Sequence, residues 1–132
     1  MADPTKEFIK AAKQGDQEKI KSLLAIEPAL LQARDSDGST ALHCAAWKGQ
    51  RELIVYLLAS GADVQAHNTN DHWGTTALHA AAHANEAAIV QLLIAAGADV
   101  NARDMNGQTP LFHTTFHKAN AAAKVLLQHG AV

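Results

Sequence analysis

Histidine is the residue of this chain with the most chemistry to offer: eight occur among 132 residues. His79 and His83 lie four positions apart, as do His113 and His117. On a helix that spacing places each pair on one face, close enough to chelate. A closed metal site needs more ligands, however. No glutamate completes an H-E-x-x-H arrangement, and no second cysteine joins the histidines. A set of His72, His83 and His117, holding a metal or a small ligand, is the alternative function the sequence leaves open. Cys44 is the single cysteine, so neither an intrachain disulfide nor a Cys-rich zinc site can form. The four serines, Ser22, Ser36, Ser39 and Ser60, sit in no nucleophile motif, and no glycine pattern of a phosphate or dinucleotide loop occurs. The sequence therefore predicts no catalytic residue, no metal site and no cofactor, and hence no enzyme.

Composition narrows the partner. Apolar residues make up 48% of the chain and charged residues 18%, enough for a real core. Eleven basic against 13 acidic residues give a formal charge of −2. Phosphate binding needs a concentrated positive field, so nucleic acid and anionic membrane are not expected partners. The amino terminus, Met1-Ala2-Asp3-Pro4-Thr5-Lys6-Glu7, lacks the apolar core of a signal peptide. No apolar run approaches the roughly 18 residues that span a bilayer. With its lone cysteine, the chain is expected to be soluble and cytoplasmic.

The elements that must position these side chains recur along the chain. TALHCAA begins at Thr40, TALHAAA at Thr76 and TPLFHTT at Thr109, and the first of these two steps is three positions the longer. GADV begins at Gly61 and Gly97, and GAV at Gly130, so each Thr precedes its Gly by the same distance in all three units. Between the markers the pattern is helical. Ala77, Leu78, Ala81 and Ala82 give a short helix with a small-residue face, and Ile89, Val90, Leu93 and Ile94 the stripe of a second. Gly49 and Asn85 end the first helices in a conformation both tolerate. Asp-x-x-Gly turns follow at Asp35–Gly38, Asp71–Gly74 and Asp104–Gly107. Seven or eight helices are predicted, with Leu57, Leu58, Leu93 and Ile94 buried between layers.

A turn, two antiparallel helices and a period of about 33 residues with a T-P-L-H-x-A signature resemble the ankyrin repeat over nearly the whole chain. The resemblance implies an all-α ankyrin-repeat solenoid with protruding turn fingers. Phe8, Ala11, Ala12 and Gly15 align with Leu42, Ala45, Ala46 and Gly49, and Ile20, Leu23 and Leu24 with Ile54, Leu57 and Leu58. Lysines interleave with this first apolar set, as suits a terminal repeat facing solvent. The expected division is a capping repeat at 1–34, a repeat with a loop insertion at 35–70, a repeat at 71–103 and a last one at 104–132. The insertion is Asn68-Thr69-Asn70, which accounts for the longer first step and should push the second finger outward. The last unit departs from its siblings at Thr114-Thr115, in place of Ala-Ala, and at Lys118, in place of Gly49 and Asn85. No further capping helix follows it, so self-association of an otherwise monomeric chain would use this end.

In ankyrin repeats the motif histidine ties the turn to the helix, which implies that role for His43 and His79. His113 is offset by one position because Phe112 holds the motif slot, so the two histidine pairs should project about 100° apart. The family's contacts with partner proteins come mostly from the turn tips and from the two residues after the Ala-Ala pair. Carried over, these are Ser36, Asp37, Ser39, Trp47 and Lys48 in the first full unit. The second gives His72, Trp73, Thr75, His83 and Ala84, and the third Met105, Asn106, Gln108, Phe116 and His117. Trp47, His83 and Phe116 share one slot and should form a stripe on the concave face, about 10 Å apart. Large apolar groups at such positions imply that another protein is bound there.

Overall fold

The computed structural model describes residues 4–69, 74–116 and 118–132. Eight α-helices run through them: α1 (Pro4–Gln14), α2 (Gln17–Ile26), α3 (Ala41–Lys48), α4 (Arg51–Ala59), α5 (Ala77–His83), α6 (Ala87–Ala95), α7 (Pro110–His113) and α8 (Asn120–Gln128). A 3₁₀ turn at Pro28–Gln32 follows α2, and no strand occurs among the described residues. The helices form antiparallel pairs stacked into a solenoid. The first helices contact one another in series, α1 on α3, α3 on α5 and α5 on α7. The second helices α4, α6 and α8 stack behind them.

The core lies between these layers. Phe8, Ile20, Ile54, Leu57, Leu78, Ile89, Leu93 and Leu126 are fully buried, while alanines 45, 46, 81 and 82 let the first helices approach closely. Leu58 and Ile94, expected in the core, are only half-buried and pack against its edge. They follow Leu57 and Leu93 by one residue, a turn of about 100° that carries them off the packed face.

Local chemistry sets the helix lengths. Thr40 caps α3 by accepting the His43 amide at 3.4 Å, and the Thr40 amide donates back to His43 Nδ1 at 3.3 Å. Thr76 and His79 repeat this reciprocal cap on α5. On α7, Thr109 accepts the Phe112 amide, but a phenyl ring cannot return the bond. The hydroxyls of Thr114 and Thr115 then donate to the carbonyls of Leu111 and Phe112, competing with the helix ladder. Accordingly α7 has 4 residues where α3 has 8 and α5 has 7. The link to the second helix is the same in all three units. Gly49, Asn85 and Lys118 each take the left-handed conformation, at φ 72°, 58° and 52°.

Side-chain amides join consecutive units along the opposite edge. Gln32 donates to the Gly61 carbonyl and Gln65 to that of Gly97. Asn101 accepts the Val132 amide at the matching place. Each stands in the turn that follows the second helix of one unit and bonds the backbone of the matching turn in the next, which links the layers.

Candidate functional site

Fingers and first helices enclose a groove of about 450 Å³. The first and third fingers are closed by their own aspartates. Asp35 Oδ1 accepts the amides of Asp37 and Ser39 at 2.9 and 3.0 Å, and Asp104 Oδ1 accepts those of Asn106 and Gln108, both at 2.9 Å. Each carboxylate thereby closes its own turn. His43 Nδ1 accepts the Thr40 amide, so its proton sits on Nε2, which donates to the Thr75 carbonyl 2.8 Å away. His79 likewise donates from Nε2 to the Gln108 carbonyl at 3.0 Å. Each histidine thus fastens the following finger to its own helix, the role its motif position implied.

Trp47, His83 and Phe116 line the open side of this groove in that order. The indole of Trp47 stacks on His83 with ring centroids 5.0 Å apart and planes 23° apart. His83 meets Phe116 at 5.5 Å. These distances correct the wider spacing expected from the separation of packed helices. Helix axes stand about 10 Å apart, but the rings lean along the groove and touch. Trp47 stays half-exposed at 50% and Phe116 at 44%. Phe112 extends the row, edge-on to Phe116 at 5.5 Å.

The other expected contact residues divide. Asp37, Ser39, Lys48 and Thr75 line the groove beside Trp47. Ser36, Met105 and Asn106 are exposed on finger tips away from it, and Ala84 and Gln108 are half-buried outside it. His72, Trp73 and His117 lie outside the described residues, and so does the turn at Asp71. The start of the insertion does not project as expected. Asn68 is buried at 6% exposure, its amide bound to the Thr75 carbonyl and its side chain to Ser39 Oγ, and the Thr69 amide reaches the Gly38 carbonyl. The Asn68 side chain and the backbone amides of Asn68 and Thr69 thus find their partners on the neighbouring fingers.

The groove floor was not foreseen. His113, shifted one place from the motif slot, does not point away from the other histidines. The shift turns it toward α5, where it meets His79 edge-on at 5.0 Å and lies 6.2 Å from His83. Its Nε2 is 2.8 Å from Asp104 Oδ2, and both side chains are buried. One ligand atom from each of His79, Asp104 and His113 falls within 4.8 Å of the others, a possible metal set different from the one the sequence suggested. Every member is already engaged. His79 Nε2 carries a proton held by Gln108, and a metal there would force that proton onto Nδ1, against the Thr76 amide. The three residues form a hydrogen-bonded network that supports the floor.

Electrostatics argue the same way. Burial pushes His79 down to about 4, so its ring is neutral near pH 7. Burial alone would raise Asp104, but hydrogen bonds from His113 and the amides of Gln108 and Asn106 outweigh it and hold the carboxyl below its ordinary value. Burial, followed by the charge of Asp35, pushes the Cys44 thiol up to about 11, which keeps it protonated and a poor nucleophile.

Stacked antiparallel helix pairs joined by turns define a helical-repeat solenoid. The chain belongs to the ankyrin-repeat family: residues 6–68 and 65–132 match ankyrin repeats (3 copies). It is 37% identical over 62 residues to oxysterol-binding protein-related protein 1 of Rattus norvegicus, covering 46% of this chain and 6% of that protein. It is 43% identical over 56 residues to palmitoyltransferase akr1 of Schizosaccharomyces pombe, covering 42% and 9%. With human ankyrin repeat domain-containing protein 49 it shares 35% over 64 residues, covering 48% and 27%. The chain thus spans only a small part of the length of these relatives. Among the described residues no helix is long and apolar enough to cross a membrane.

Proposed function

We propose that this chain is a non-catalytic protein-interaction module that receives a partner in the groove between its first helices and its fingers. The observation that carries the reading is the contiguous row of Trp47, His83 and Phe116, partly open to water along a groove of about 450 Å³. The buried core between repeats runs through alanines and aliphatic side chains of both helix layers and does not include these rings. Exposed aromatic surface at the mouth of a concavity is where binding energy concentrates. The catalytic names among the relatives do not transfer, since the aligned part is a small fraction of those proteins. The near-neutral charge favours a protein over nucleic acid or a membrane surface. A cytoplasmic monomer, with a capping repeat followed by three further units, completes the proposal.

The test is affinity capture from the source cell with the native chain and with a Trp47→Ala, His83→Ala double variant of unchanged melting temperature. A protein retained by the first and lost from the second supports the groove as the site. Identical captured sets would place recognition elsewhere on the solenoid.

A further inference from the structure

The first and third fingers are built alike and differ at one point facing the groove. In each, the aspartate Oδ1 accepts two amides of its own turn. In each, Oδ2 faces the residue nine positions on, which is Cys44 in the first finger and His113 in the third. The imidazole reaches its oxygen, at 2.8 Å. The thiol is shorter and a weak donor, and its sulfur stops 4.0 Å from Asp35 Oδ2. Among the described residues that oxygen has no other hydrogen-bond partner. The third unit therefore closes from within, with a short bond, an acceptor that the first unit holds only by a weak thiol contact and that keeps a lone pair for the groove. Asp35 and Cys44 both line the groove, with Asp37 and the half-exposed indole of Trp47 beside them.

Two aspartates, Asp35 and Asp37, and two lysines, Lys13 and Lys48, line this end of the groove, and Asp35 is the one beside Cys44. After burial, its negative charge is the strongest influence on the Cys44 thiol, ahead of the opposing Lys13 and Lys48. Both lysines are exposed on flexible stems that can turn into water.

We propose that this end of the groove takes a basic side chain, arginine or lysine, from a peptide segment of the partner, its N–H donating to Asp35 Oδ2 in the place His113 fills for Asp104. The stem of that side chain lies along Trp47. A guanidinium suits both contacts, since its planar fork bonds a carboxylate and its face stacks on an indole. The inference rests on the groove being the recognition site and names the chemistry read at one end of it.

The experiment selects peptides from a random linear library displayed on phage, using the immobilised full chain as bait. The selected peptides should carry arginine or lysine at one recurring position. Replacing an arginine there by its neutral isostere citrulline should weaken binding to the native chain about tenfold or more, the loss of a charge-assisted hydrogen bond. Cys44→His should fill the acceptor from within and abolish the basic preference while leaving the dependence on Trp47. Asp35→Asn, which keeps an oxygen for the turn amides, should do the same and serves if the histidine variant does not fold. Selected peptides without a recurring basic position, or citrulline peptides that bind undiminished, would overturn the proposal. If such peptides still lose binding to Trp47→Ala, the groove reading survives and this one alone fails. Peptides indifferent to Trp47→Ala would sink both.

Discussion

Cys44 and His113 occupy the same position of two units, yet only His113 closes on its aspartate, at 2.8 Å against 4.0 Å. The difference has a consequence for stability. His113→Ala would leave the fully buried Asp104 carboxylate without its side-chain partner, and a cost of about 2–4 kcal/mol is expected. Cys44→Ala removes a small buried thiol with a weak bond and should cost under about 1.5 kcal/mol. Urea denaturation of both variants checks this. Equal losses would mean that the imidazole–carboxylate bond contributes little.

Acid should weaken the fold through His79. His79 in the folded chain binds a proton only near pH 4, because burial disfavours its charged form, whereas unfolded it binds one near 6.5. Between those values the unfolded state holds more protons, so stability falls as pH falls from about 6.5 toward 4, by an amount on the order of 3 kcal/mol. Asp104 has the depressed folded value of a paired carboxylate. Its contribution is present above about pH 3.8 and is lost as pH falls through the lower folded value. Urea titrations across this range, with NMR of the His79 ring, provide the measurement. A flat stability between about pH 6.5 and 4.5 would contradict the assignment.

Lys118 holds a left-handed backbone at φ 52° where a sibling unit has Gly49. A residue with a Cβ is strained there by roughly 1–2 kcal/mol. Lys118→Gly should therefore stabilise the chain by about 1 kcal/mol, measured by urea denaturation. A loss of stability would show that the lysine side chain contributes more than the strain costs.

Zinc should leave the melting temperature unchanged at stoichiometric addition. His79, Asp104 and His113 are already hydrogen-bonded, and metal would have to break the His79 bond to Gln108. A rise of several degrees, as binding to the folded state produces, would reassign the cluster as a metal site.

The markers legible in the sequence were those that the backbone imposes. Thr40, Thr76 and Thr109 recur because each caps a helix, and Gly61 and Gly97 recur because each turn has positive φ, so the repeat was readable from periodicity and the solenoid from the ankyrin resemblance it carries. The shared slot of Trp47, His83 and Phe116 was equally readable, but their mutual contact was not, since ring tilt depends on side-chain torsions that spacing does not encode. The meeting of His113 with His79 and Asp104 escaped for a related reason. A one-residue offset looked like divergence on a single helix, and only the stacking of α7 on α5 turns it into convergence. The bridges from Gln32, Gln65 and Asn101 also went unread, because polar residues at loop positions carry no pattern until the next layer is in place.

The central claim is that the ring-lined groove binds the partner, and the dissociation constant of the captured protein for native and Trp47→Ala chains tests it most directly. Truncating a half-exposed indole at the groove mouth should weaken binding by about 2 kcal/mol, roughly thirtyfold, while the melting temperature moves by no more than a few degrees. An unchanged dissociation constant, with the variant fully folded, would contradict the account.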